Sequence, residues 1–293
     1  MNYIVTGGAG FIGSNLVDRL IKDGHSVIII DNLSTGNITH VNPKAKFYNI
    51  DLSVTQDLSM FKDIDVVFHL AAYAEVDPSI KNPIPYHNIN VNGTLNVLMA
   101  CKKYEVKRMV YSASSSCYGD STEVPTSENA LIKPMSPYAL QKLIGEQYCK
   151  LFSNLYNLET VCLRYFNVYG NRQRNDTSYS LVTGIFFKQR SSGKPLTITG
   201  NGEQKRDFVC VDDVVEANIL ASTSDKVGNG ESINIGYGKA ISINEVAKII
   251  SDNIIYVDKR YEPDITLSDI SKAKELLNWK PKSNFTEWLA HNK

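Results

Sequence analysis

Hydrophobic and polar positions follow two rhythms over the first part of the chain. Short runs rich in β-branched and aromatic residues lie at Tyr3–Val5, Val27–Ile30, Lys46–Tyr48, Val66–Leu70, Met109–Ser112 and Thr160–Tyr165. Between them run longer stretches with helical spacing, near Ile12–Lys22, Pro85–Tyr104 and Pro137–Leu155. Strands alternating with helices predict an α/β fold, a doubly wound parallel (Rossmann) sheet. Val27–Ile30 is apolar at consecutive positions, as expected of a strand covered by helices on both faces. After Tyr169-Gly170 the rhythm loosens into a helix near Ser178–Ser191, a strand at Leu196–Thr199 and a turn at Gly200–Gly202. This pattern predicts a smaller C-terminal substrate lobe with a cleft between it and the sheet. The chain closes on a short helix over Thr286–Lys293.

The first chemical signal is Thr6-Gly7-Gly8-Ala9-Gly10-Phe11-Ile12-Gly13, between the first strand and the first helix. Glycines there let the backbone turn tightly and approach a pyrophosphate, whose charge the free N–H groups of the helix start would meet. The second strand ends in Asp31, at about the spacing where an acid takes the adenosine ribose hydroxyls and disfavours a 2′-phosphate. That combination predicts NAD. The second signal is Tyr138 and Lys142, four residues apart and so on one helical face. Ser136-Pro137 before them is a cap and first-turn pair. Lowering a tyrosine from its ordinary pKa near ~10 to neutrality needs about 4 kcal/mol. Lys142, the helix start and an oxidised nicotinamide are the groups expected to supply it. A serine-rich strand end, Ser112 to Ser116, lies between the two signals.

Composition narrows the reading by exclusion. A chain of 293 residues with 31 basic and 31 acidic side chains has no net field to favour nucleic acid or an anionic membrane. Cys101, Cys117, Cys149, Cys162 and Cys210 are odd in number and form no CxxC pair, so they predict separate reduced thiols. The five histidines lack ligand spacing, and no metal is expected; His69 reads as a packing or hydrogen-bonding residue. No leader and no apolar run of membrane length is seen, which makes a cytoplasmic enzyme the expectation.

Together Gly7-x-x-Gly10-x-x-Gly13, Asp51, His69-Leu-Ala-Ala72, Asn90-x-Asn92-Gly93, Ser114 through Tyr118-Gly119, Tyr138-x-x-x-Lys142 and Arg164-Tyr-Phe-Asn167 resemble an extended short-chain dehydrogenase/reductase. The subgroup they are most similar to is the NAD-dependent epimerase/dehydratase family, at the UDP-glucose/UDP-N-acetylglucosamine 4-epimerases. The resemblance covers nearly the whole chain. It implies that NAD is held by Gly7, Gly10, Phe11, Ile12, Gly13, Asp31, Asn32, Asp51, Leu52, Leu70, Ala71, Ala72, Asn90, Tyr138, Lys142 and Tyr165. It implies catalytic roles for Ser114, Tyr138 and Lys142, and contact of a UDP-sugar with Ser114, Ser115, Tyr138, Asn167, Arg206 and Glu262. Residues 1–170 would form the NAD-binding domain, with a return to it around 206–236, and residues 171–293 the nucleotide-sugar lobe. A homodimer built on the helices near Pro85–Tyr104 and Pro137–Leu155 is expected.

Within the second lobe, Arg206 offers a planar fork for diphosphate oxygens; the alternative is a pair with Asp207 or Asp212. Lys259 or Arg260 would stand where the family has an arginine, with Glu262 on the uridine ribose. Thr266 matches a position where some relatives place a bulky aromatic, which implies room for an N-acetyl group, and Ala74 stands where the family has a lysine near the nicotinamide.

The relatives' reactions differ by the residues beside the keto-sugar. Dehydratases carry Asp-Glu where this chain has Ser115-Ser116, and decarboxylases carry Glu at the position of Ser116, because those reactions need further acid–base groups. Epimerisation at carbon 4 of a UDP-hexose needs only Tyr138 and Ser114. A UDP-glucuronate 4-epimerase and a nucleotide-sugar 4-reductase are the alternatives.

Overall fold

The apolar runs of the first half assemble into one parallel sheet whose two faces are both covered. The computed structural model describes residues 1–54, 57–174, 181–259 and 262–293. In chain order, the sheet domain begins β1 (Asn2–Thr6), α1 (Phe11–Lys22), β2 (Ser26–Ile30), β3 (Lys46–Tyr48), β4 (Val66–His69), α2 (Val76–Lys81), α3 (Pro83–His87) and α4 (Thr94–Lys103). It continues β5 (Arg108–Ser114), α5 (Pro137–Tyr156), β6 (Glu159–Tyr165) and β7 (Asn167–Tyr169). Then follow α6 (Val182–Ser191), β8 (Leu196–Thr199), β9 (Lys205–Cys210), α7 (Val211–Thr223), β10 (Asn229–Ile235) and β11 (Ala240–Ser242). The chain ends with α8 (Ile243–Ile250), β12 (Ile254–Val257), β13 (Ile265–Thr266), α9 (Ser271–Leu277) and α10 (Phe285–Asn292). The expected helix start near Ser178 and the side chain of Arg260 lie outside the described residues.

The sheet runs β3-β2-β1-β4-β5-β6-β10, every neighbouring pair parallel. The winding reverses between β1 and β4, and the crevice beyond the carboxyl ends of such strands is where α/β sheets bind ligands. One face is covered by α1, α7 and α9, with Leu16, Leu20, Val214 and Trp279 in its core; the other by α4 and α5, with Leu98, Cys101, Cys149 and Phe152. All five cysteines are buried and unpaired. Among the described residues, no helix is long and apolar enough to cross a membrane.

The smaller lobe has its own core, including Phe186, Ile198, Phe208, Val246 and Phe285. In it β9 pairs with β7, β11 and β13, and β8 pairs with β12. The chain does not divide cleanly at residue 170, because α7, β10, α9 and Trp279 all pack into the sheet domain. The helix expected over Pro85–Tyr104 begins earlier, at Pro83, whose missing N–H costs nothing in a first turn. It also widens into i→i+5 bonding over Asn88–Gly93 before α4, a device common at functional sites.

Candidate active site

The dinucleotide end is built by close backbone approach. Gly7 has φ +71°, and a Cβ there would stand 2.7 Å from the Ala71 nitrogen. The Gly10 N–H donates to the Gly7 carbonyl at 3.0 Å, and Gly13 packs on the same carbonyl. α1 opens on Gly10 with no side-chain cap and no acid in its first turn. Its opening residues Gly10, Phe11, Ile12 and Gly13 line a cleft of about 1120 Å³. An uncapped helix start at a cleft suits a pyrophosphate.

Asp31 stands at the end of β2 and lines the cleft with Asn32. It accepts from the Ala9 N–H at 3.0 Å and the Leu33 N–H at 2.8 Å, which leaves lone pairs for ribose hydroxyls. Burial pushes its carboxyl up despite those bonds. Leu52, Leu70, Ala71 and Ala72 form the walls. These residues fit a dinucleotide.

Two residues expected at the cofactor are not among those that line the cleft. Asp51 does not line the cleft: it accepts from the Ser53 N–H at 2.8 Å and bonds Asn32. Burial pushes Asp51 up, but the bonds from Ser53 and Asn32 outweigh it and hold the carboxyl below its ordinary value. Asn90 is buried behind the wall, with its amide accepting from the Tyr73 N–H at 2.9 Å and donating to the Tyr73 carbonyl at 3.0 Å and to Gln141 at 3.1 Å. The geometry gives Asn90 a supporting place: it fixes the segment after β4 through Tyr73.

His69 is the hinge of a hydrogen-bond chain behind the same wall. Its Nδ1 is 2.7 Å from Thr6 Oγ1 and its Nε2 is 3.0 Å from Thr94 Oγ1, while Thr94 donates to the Asn90 carbonyl at 2.7 Å. Because the Thr94 proton is committed, Nε2 donates to it, and in a neutral ring Nδ1 then accepts from Thr6. Burial, then the charge of Lys142, drives its pKa down to about 3.

The reactive end lies beyond β4 and β5. Ser136 caps α5, accepting from the Ala139 N–H at 3.2 Å, and Pro137 fills its first position. Tyr138 therefore sits in the opening turn, with its N–H on Ser79 at 3.2 Å and its hydroxyl facing the Ser114 side chain, which pulls its pKa down. Ser114 is itself 2.8 Å from Ser116 Oγ and accepts from the Ser116 N–H at 3.2 Å. Lys142 lies one turn further on, buried, its Nζ 4.4 Å from the centroid of Tyr111. Ser114, Ser115, Ser116, Tyr138, Lys142 and Tyr165 all line the cleft. Tyr165 donates to Asn218 at 2.9 Å.

The protein groups alone do not supply the lowering expected of Lys142, the helix start and an oxidised nicotinamide together. Burial pushes the phenol up, the Ser114 hydroxyl offsets part of this, and the charge of Glu75 pushes it higher. Desolvation outweighs the nearby helix start when no ligand charge is present. Desolvation likewise brings Lys142 down to about 8, against the pull of Glu146.

At the far end Asn167 donates to the Asp207 carbonyl at 2.8 Å and to Thr266 Oγ1 at 3.4 Å. Arg206 is buried and bonded to Glu262 at 2.6 Å, so its carboxylate partner is neither Asp207 nor Asp212. Asp207 instead accepts from the Tyr237, Gly238 and Ser268 N–H groups at 2.6, 3.0 and 3.0 Å. Glu262 also accepts from Thr199 at 3.1 Å. Asn167, Arg206, Glu262 and Thr266 line the cleft; Lys259 does not, and pairs with Asp264 at 3.0 Å on the surface.

Sequence reasoning missed Glu75 and Arg174. Both line the cleft and form an ion pair at 3.2 Å, and Tyr86 donates to Glu75 at 3.1 Å. Ninety-nine positions separate the pair, and no motif links them.

A glycine turn opening on a bare helix start, an acid at the next strand and a Tyr–Ser–Lys group beside them define a Rossmann enzyme working on a bound dinucleotide. The chain belongs to the NAD dependent epimerase/dehydratase family, whose profile matches residues 3–236, and NAD is its cofactor. It is 42% identical to a putative UDP-glucose 4-epimerase of Methanocaldococcus jannaschii, over 99% of this chain and 98% of that one. Among solved structures it is similar to UDP-N-acetylglucosamine 4-epimerase of Methanobrevibacter ruminantium in complex with UDP-N-acetylmuramic acid. The identity is 39%, the TM-score 0.94, and 99% and 96% of the two chains are covered. It is also similar to UDP-glucuronic acid 4-epimerase of Bacillus cereus in complex with UDP-glucuronic acid and NAD, at 36% identity and TM-score 0.90, covering 99% and 96%.

Proposed function

We propose that the chain interconverts the carbon-4 epimers of a UDP-hexose, UDP-glucose with UDP-galactose and the N-acetylated pair. The observation that carries this is the grouping of Ser114 and Tyr138 in one cleft with Lys142 one turn behind the tyrosine, at a place where Ser115 and Ser116 supply no carboxylate. NAD, held by the Gly7 to Gly13 turn and Asp31, would supply the acceptor and donor for the hydride of carbon 4. Tyr138 receives the proton of the carbon-4 hydroxyl, and Ser114, beside it in the cleft, orients that hydroxyl. Lys142 and the start of α5 supply positive potential to the phenolate, against the desolvation that works the other way. Inversion requires the keto-sugar to turn over while its diphosphate stays held. Asn167 and Arg206 are read as that hold, which requires Arg206 to divide its fork between Glu262 and phosphate. Thr266 leaves space beside Asn167 for an N-acetyl group.

A second reading is a UDP-glucuronate 4-epimerase, favoured by the hydroxyls of Ser114, Ser115 and Ser116 along one wall. The test is an NMR time course with UDP-glucose, UDP-N-acetylglucosamine and UDP-glucuronate supplied separately. Appearance of a carbon-4 epimer without consumption of NAD supports epimerisation and names the substrate. No conversion of any of them, or stoichiometric use of a reduced cofactor, refutes it.

The homodimer belongs to the same proposal. Leu140, Leu151 and Leu155 of α5, Met99 of α4 and Ile84 of α3 are all exposed. An apolar face of this kind on packed helices suits a two-fold four-helix contact. Five buried, unpaired cysteines fit a reducing cytoplasm.

A further inference from the structure

The charges lining the cleft are unevenly engaged. Among the described residues the cations there are Lys142, Arg174 and Arg206. Arg206 is bonded to Glu262 at the nucleotide end, and Lys142 is buried below Tyr138 against Tyr111. Arg174 is paired with Glu75. Glu75 is held from two sides, by Arg174 at 3.2 Å and by the Tyr86 hydroxyl at 3.1 Å, and it stands at the N-cap of α2, whose Ser79 accepts from the Tyr138 N–H at 3.2 Å. A second carboxylate, Asp77, lines the same wall. The wall beside the proton acceptor therefore presents two carboxylates, Glu75 and Asp77, against the guanidinium of Arg174.

We propose that Glu75, fixed by Arg174 and Tyr86 next to Tyr138, is a specificity residue that selects neutral hexoses over uronates. This rests on the UDP-sugar reading above. The carbon-5 substituent is adjacent to the reacting carbon, so a substrate carboxylate would be brought beside Glu75 in a cleft with little water, where like charges repel strongly. A neutral hydroxymethyl group in the same place can donate to Glu75, a bond strengthened by its charge.

The experiment compares UDP-glucose with UDP-glucuronate in wild-type holoenzyme and in Glu75→Gln, by calorimetric binding and by kcat/KM. Wild type should favour the neutral sugar by at least about 10-fold, and Glu75→Gln should shrink that ratio by about 10-fold, the scale of one lost charge contact. Glu75→Ser, smaller and uncharged, should shift the ratio in the same direction and serves if the glutamine variant does not fold. Equal handling of both sugars by wild type, or an unchanged ratio in both variants, overturns the role of Glu75 alone. So does wild-type binding of UDP-glucuronate that Arg174→Gln abolishes, since Arg174 would then be the carboxylate's receptor. Failure of wild type to bind any UDP-sugar overturns the reading beneath it as well.

Discussion

The Lys142 ammonium lies over the ring of Tyr111, 4.4 Å from its centroid, at the floor of the cleft. Gly145, one turn further along α5, makes that arrangement possible, because a Cβ there would collide with the Tyr111 hydroxyl. Tyr111 in turn donates to the Lys142 carbonyl at 3.3 Å. A cation–π contact is partial compensation for burying an ammonium, and desolvation still brings Lys142 down to about 8. Lys142→Met should abolish most turnover yet stabilise the fold by about 3 kcal/mol at neutral pH, the scale of the lysine's pKa depression from 10.5 to about 8. Thermal unfolding of the two proteins checks this; a lower midpoint for the variant would contradict it.

Tyr138 and Ser114 separate chemistry from binding. Tyr138→Phe removes the proton acceptor and leaves the glycine loop and Asp31 intact, so kcat should fall by about 10³-fold or more while NAD remains bound. Ser114→Ala should fall less, by about 10²-fold, because the phenol persists. Rapid-quench turnover alongside absorbance of the retained cofactor reads both quantities. Loss of NAD in Tyr138→Phe would assign the residue to cofactor binding.

A buried ion pair supports the reactive helix from behind. Arg164 of β6 binds Glu146 of α5 through Nε and Nη2, at 3.0 and 2.7 Å, and donates to the Tyr118 hydroxyl at 2.7 Å. Tyr118 donates to Asn234 at 2.7 Å, which joins β10 to the network. Arg164→Met leaves Glu146 buried with, among the described residues, Ser232 as its remaining donor partner at 2.9 Å. The expected loss is about 3–5 kcal/mol of unfolding free energy. Denaturant titration measures it, and a change under about 1 kcal/mol would mean that water or a rearranged donor replaces the guanidinium.

The sheet and the cofactor end were legible in the sequence because their signals are local. Val27–Ile30 reads as a covered strand, and Gly7 to Gly13 reads as a turn into a helix start. Positions set by long-range packing were not legible. The partners of Asn90 and Asp51 are of this kind: the motif letters are local, but the bonds of Asn90 to Tyr73 and Gln141 and of Asp51 to Asn32 are made across the fold. The Arg206–Glu262 bond joins residues 56 positions apart on strand and loop, and nothing in either neighbourhood announces it. Trp279 likewise follows a run that belongs by order to the second lobe, yet its ring is buried in the first, with Nε1 donating to the Asp213 carbonyl at 2.9 Å.

The proposed dimer has a direct test in the exposed leucines of α5. Leu151 and Leu155 lie four residues apart and so on one helical face, both exposed, with Leu140 three turns earlier and Met99 on the neighbouring helix. Leu151→Glu with Leu155→Glu would place charges in the centre of any contact made there. Sedimentation velocity should show a two-fold loss of mass with the monomer fold retained by circular dichroism. A wild-type chain that already sediments as a monomer removes the dimer from the proposal.

His69 sets the direction of the acid response. Its folded pKa is depressed to about 3 from an ordinary 6.5, so the folded state binds fewer protons than the unfolded one between those values. Stability contributed by the neutral ring is fully present above 6.5 and is lost as pH falls below it, with a slope approaching about 1.4 kcal/mol per pH unit. Below about pH 5 the carboxylates act in both directions: Asp51 and Asp269 are held low, while burial raises Asp31 and Asp207. The interval from 6.5 down to about 5 is therefore the clean one for His69. Urea unfolding at pH 7.5, 6.5 and 5.5 should give a stability nearly level across the first step and falling across the second. In His69→Gln, which keeps an acceptor and a donor but cannot titrate, the second step should flatten. An equal fall in both proteins would assign the acid response to other groups.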